Sequence, residues 1–182
     1  MKIYKIWLPA LMALVMAGGL GAQDQKDVSA KTKTEKRLQK EVRHELVTLP
    51  FYDVFDNFEY KINGGTVTLM GQVTQPNLKS DAEKAVKQIE GVDRVENRIE
   101  VLPLSPMDDQ LRRAVYRAIY GDPGLSRYSI QAIPSIHIIV RNGHVFLEGA
   151  AATEMDKNLA YLRANSVPGV FSVTNNLHID RT

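Results

Sequence analysis

The 182-residue sequence predicts an α+β fold made of two tandem αββαβ units. Three observations lead there. The chain repeats itself at a constant spacing of 78 residues: Gly65 to Gly71 reappears as Gly143 to Gly149, and Gly91 to Ile99 reappears as Gly169 to Leu177. A register kept without a gap over that distance marks a duplicated module. In each copy, apolar residues alternate with period two on both sides of a glycine-containing turn, the pattern of a hairpin. The flanking segments carry apolar residues at helical spacing. What repeats is glycine, aliphatic residues and asparagine, with no repeated acid, base or nucleophile. Catalysis is therefore disfavoured from the outset, and no catalytic residue is expected.

The elements follow in order. Met1 to Lys5 carries two positive charges, Ile6 to Val15 is apolar apart from Pro9, and Ala17 to Ala22 is mostly small. That layout predicts a secretory signal peptide over residues 1–22, and with it a periplasmic location. An uncleaved anchor competes, although the apolar core is shorter than the ~20 residues a spanning helix needs. Residues 23–32 lack apolar periodicity and read as a disordered basic tail. The first unit, 33–102, opens with a helix whose stripe is Leu38, Val42, Leu46 and Leu49. Phe58, Tyr60 and Ile62 alternate toward a Gly64-Gly65 turn, which sets Ile62 opposite Val67 and Tyr60 opposite Leu69. A second helix carries Leu78, Ala82, Ala85, Val86 and Ile89, with Asp81 and Glu83 biasing its first turns toward acid. Gly91 ends it, and Val95, Ile99 and Val101 form the last strand.

Residues 103–107 read as a short, stiff linker, and 108–182 repeat the plan. Leu111, Val115 and Ile119 form the first stripe of this second unit. Ile136, Ile138 and Val140 face Gly149, Leu147 and Val145 across an Asn142-Gly143 turn. Between Ile119 and Ile133 the second copy holds five extra residues, within Tyr120 to Tyr128. Leu125, Arg127 and Tyr128 there are residue types that interfaces favour. Ile139 opposite Phe146 is an aliphatic–aromatic pair on a face expected to be wet, so these five residues are candidates for a partner or interdomain surface.

The chain has no cysteine, which excludes disulfides and thiol chemistry. Of its 23 Lys and Arg, Lys2 and Lys5 fall in the leader, leaving the remainder balanced against 21 Asp and Glu. No global field pulls on nucleic acid. Locally, Lys33, Lys36, Arg37, Lys40 and Arg43 lie opposite the first apolar stripe, either as a solvated face or as a tether to anionic lipid at about 1 kcal/mol per charge. None of the four histidines has a second ligand at metal-like spacing. His137, set opposite Glu148, reads as half of a surface pair. Asn97 and Asn175 recur and are read as structural amides. No metal, cofactor or small-molecule substrate is indicated.

The hairpin Asn63-Gly64-Gly65-Thr66-Val67-Thr68-Leu69-x-Gly71, followed by an alanine-bearing helix and Gly91-Val92-x-x-Val95-x-Asn97-x-Ile99-x-Val101, resembles the BON (bacterial OsmY and nodulation) domain. Two copies behind a signal peptide resemble the osmotically inducible periplasmic proteins of that family. The resemblance implies, for each copy, a three-stranded mixed sheet with both helices packed on one face. It singles out Gly71, Gly91, Val92, Gly149, Gly169 and Val170, and it implies a non-enzymatic role at phospholipid or envelope surfaces, linked to osmotic or envelope stress. Ala150-Ala151, in place of Gln72-Val73, departs from the first copy. Two functions follow as expectations: docking on phospholipid membrane surfaces, or a protein-binding, chaperone-like module acting on clients or envelope proteins.

Overall fold

The computed structural model describes residues 21–131 and 133–180, with side chains from Thr34 onward. The leader expected over 1–22 lies outside them except for Gly21 and Ala22, which open helix α1. The chain divides into two compact units, Met1–Lys36 and Arg37–Thr182, and the second holds both sheets. Helix α1 spans Gly21–Val47. It therefore includes residues 23–32, read from the sequence as a disordered tail. A missing apolar stripe denies that stretch a core to pack on, but Ala, Gln and Lys still favour helix and no proline interrupts it.

The first sheet joins β1 (Asn57–Asn63), β2 (Thr66–Val73), β3 (Arg94–Asn97) and β4 (Glu100–Val101), with helix α2 (Pro76–Lys87) crossing between β2 and β3. β1 is antiparallel to β2, and β3 and β4 both pair parallel with β2. The third strand of the predicted sheet is thus present in two pieces. Asn97 makes the break: its Oδ1 accepts from Ile99 N at 3.2 Å, while its Nδ2 donates to Lys79 O of α2 at 2.8 Å. The register sets Ile62 against Val67 and Tyr60 against Leu69, as the two-residue turn requires. Val42 and Leu46 of α1 and Leu78, Ala82 and Val86 of α2 pack on the Val67–Leu69–Val73 face. α2 begins at Pro76, with no acid in its first turn. Asp81 instead reaches Lys84 at 3.1 Å.

The second sheet copies the first with β5 (Ile136–Arg141), β6 (His144–Ala151), β7 (Ser172–Asn175) and β8 (His178–Ile179). Helices α3 (Pro106–Tyr120) and α4 (Glu154–Asn165) flank it. Asn175 repeats the staple, donating to Lys157 O at 2.9 Å. Pro106 and Met107, placed in the linker by sequence, form the first turn of α3 because Ser105 caps Asp108 N at 3.2 Å and proline suits that opening position. Gly71 and Gly149 sit at positive φ, and a Cβ there would come within 2.1 and 2.2 Å of the Asn57 and Ser135 carbonyl oxygens. Only glycine lets the hairpin strands approach so closely. Gly91 and Gly169 also have positive φ, and Val92 and Val170 behind them pack on the two cores.

The two copies are docked through the connector between α1 and β1. Val54 is buried in the core of the second copy. Its carbonyl accepts from Ile138 N at 2.8 Å, and Phe55 meets Tyr116 edge-on at 6.1 Å. Arg141 and Glu100 form an ion pair across the seam at 2.8 Å.

Candidate functional site

Two places in the fold gather unusual chemistry. The first is the hairpin end of the second copy. Asp108, buried at the start of α3, accepts from Asn142 N and Gly143 N at 2.9 Å each. An acid in the first turn of a helix thus also clamps the neighbouring hairpin turn. Phe171 lies over that turn, its ring 2.5 Å from where a Gly143 Cβ would sit, yet it stays 78% exposed. Met107 (63% exposed) and Leu104 (95%) stand beside the same α3 start. Arg113 and Arg117 line a shallow groove with Met107 and Gly169. The first copy lacks this apolar end. Asp93 occupies the position of Phe171, 78 residues earlier, and lies over Gly65 in the same way. The signal was legible in the repeat: an acid becomes a phenylalanine where neither core needs one.

The second place is the seam. A cavity of about 260 Å³ opens between α1 and β1 on one side and β5, β6 and β8 on the other. Phe58, Tyr52 and His137 stack across it with centroid separations of 4.9 and 5.7 Å. His137 does pair with Glu148 in register, but it is only 8% exposed, so the surface-pair reading is overturned. The alternation that pointed it outward was right, and the connector of the first copy covers that face. Its Nδ1 is buried without a hydrogen-bond partner. Burial lowers its pKa, offset only in part by the Asp56 and Asp53 carbonyls. Burial also raises the Tyr52 hydroxyl, with the Asp56 charge adding to the shift.

Of the partner-surface candidates, Ile139 is buried at the seam, where it and Phe146 share a small space with Gln72, Glu100 and Leu102. The five-residue insertion is anchored from within: Leu125 and Tyr128 are buried in the core of the second copy. The Tyr128 hydroxyl donates to Asp156 at 2.9 Å and accepts from Ala152 N at 2.8 Å. Arg127 pairs with Asp156 from the surface. Burial pushes the Asp156 carboxyl up, but Thr153, Tyr128 and Arg127 outweigh it and hold it below the usual range. Among the basic candidates, Lys33 and Lys36 lie on α1 ahead of Arg37, Lys40 and Arg43. Lys36, Arg37, Lys40 and Arg43 are exposed. Arg37 is partly neutralised by Glu41 and Glu90, at 3.5 and 3.6 Å. Arg43 lines the seam cavity. Among the described residues, no three His, Asp or Glu side chains are arranged to hold a metal, and no helix is long and apolar enough to cross a membrane.

A family model, the BON domain, matches residues 34–103 and again 107–181. No curated protein matches the chain. Similar solved structures include CdsD, a structural protein of the type III secretion system of Chlamydia trachomatis, at 14% identity over 80% of this chain and 93% of that one, with a TM-score of 0.32. A second is the C-terminal domain of CdsD, at 12% identity over 78% of this chain and 96% of that one, TM-score 0.27.

Proposed function

The chain belongs to the BON domain family, whose members are typically periplasmic or membrane-associated and generally not enzymes, and from that premise we propose that it docks reversibly on anionic phospholipid surfaces of the cell envelope. The observation that carries this reading is the exposed apolar end of the second copy, Phe171, Met107 and Leu104, with Arg113 and Arg117 sharing a groove with Met107. Large apolar side chains already exposed to water are stabilised by entering a headgroup layer. Neighbouring guanidinium groups add attraction to anionic lipid. The exposed α1 residues Lys36 and Lys40, with Lys33, Arg37 and Arg43 on the same helix, act as a second, purely electrostatic contact. A role in osmotic or envelope-stress protection and a cleaved leader belong to the same proposal.

Co-sedimentation with vesicles tests it. Phe171→Asp, which copies Asp93 of the first unit, removes a side chain contributing roughly 1.5–3 kcal/mol when buried, so binding to phosphatidylglycerol vesicles should fall tenfold or more. Lys36→Gln/Lys40→Gln should lower binding less and reduce its salt dependence. Equal pelleting of wild type and Phe171→Asp removes the proposal. A second reading, a protein-binding or chaperone-like module, is supported by Met155 and Leu162, exposed seven residues apart on α4. Met155→Ser/Leu162→Ser should then abolish suppression of client aggregation while leaving vesicle binding intact.

A further inference from the structure

We propose that the seam cavity binds a small aromatic monocarboxylate. Its volume, about 260 Å³, sits just below the range of drug-sized pockets and suits a ligand of roughly ten non-hydrogen atoms. One wall is the ring stack Phe58–Tyr52–His137, a surface that favours an aromatic or planar partner. Arg43, also on the wall, is in none of the ion pairs formed among the described residues, and its planar fork matches a carboxylate. Asp180 lines the same space, and its charge opposes a second negative charge on the ligand. That restricts the class to monoanions.

The cavity depends on departures between the two copies. At spacing 78, Ala150 stands where the first copy has Gln72, His178 where it has Glu100, and His137 where it has Glu59. These exchanges shorten one wall side chain and remove two acids from a space that Arg43 enters from the other copy.

Calorimetric titration of the full chain with benzoate tests the site, with benzyl alcohol as the neutral control and phthalate as the dianionic one. Benzoate should give saturable binding, with the two controls at least tenfold weaker, and should shift the His137 imidazole ¹⁵N resonances. Ala150→Gln restores the side chain that the first copy carries, and it should weaken benzoate binding at least tenfold with thermal unfolding unchanged. Arg43→Gln should do the same, and it carries the test if Ala150→Gln fails to fold. The proposal is overturned by no saturable benzoate binding up to about 10 mM, well past the range of useful affinities. It is equally overturned by benzyl alcohol binding as well as benzoate, or by benzoate binding unchanged in a folded variant.

Discussion

Asp108 and His137 show how one buried polar group can decide a local structure. Asp108 spends both carboxylate oxygens on the amides of the Asn142-Gly143 turn. Hydrogen bonds to a charged group contribute about 1.5–3 kcal/mol, and Asp108→Ala should cost at least that, read by urea denaturation. His137 predicts a pH dependence. Its folded pKa lies below the ordinary 6.5, so below that value the unfolded chain binds a proton the folded chain resists. Stability is present in full above pH 6.5 and is lost as pH falls from there toward the folded pKa. Glu148 and Asp56, both raised by burial, favour folding in more acidic solution and so oppose the loss at lower pH. The predicted signature is a drop in melting temperature between pH 7 and 5.5 that His137→Phe flattens. The register of His137 was legible from alternation about the Asn142-Gly143 turn. Its burial was not, because the atoms that cover it belong to a segment more than 80 residues away in sequence.

The connector and the insertion both lie between helix and strand, where polar surface loop is the default expectation, and neither shows its buried residues by periodicity. Phe51 to Phe55 is too apolar for that role, and the structure uses Val54 to fill the second core and to bond the edge of β5. Val54→Ala should cost on the order of 1–2 kcal/mol. The loss should appear as faster hydrogen exchange at Ile138 in the second copy, although the substitution lies in the first. Leu125, inside the insertion, is fully buried. Leu125→Ala should destabilise by roughly 2–5 kcal/mol, measured by chemical denaturation, whereas a loop serving only a partner would tolerate it. The helices and hairpins needed no such help. Their stripes and turn glycines are local signals, and the observed strand pairings follow from them. The split third strand escaped notice because its cause, the Asn97 and Asn175 side chains reaching back to a helix carbonyl, leaves no periodic trace.

Duplication made the architecture readable, and divergence between the copies made the function arguable. Where the copies agree, at the hairpins and the Gly-Val strand entries, the residues serve packing. Where they differ, at Asp93 against Phe171 and Gln72 against Ala150, the second copy gains an apolar end and a seam cavity. Which surfaces dock the copies was not legible beyond the Ile139–Phe146 pair, since no local pattern encodes which surface covers another. The central claim is that one end of one copy meets the membrane. Paramagnetic quenching of the isotopically labelled protein by spin-labelled lipid in phosphatidylglycerol vesicles tests it most directly. The account predicts quenching concentrated at Leu104, Met107 and Phe171, with the Gly64–Asp93 end of the first copy spared. Equal quenching at both ends, or none at Phe171, would contradict it.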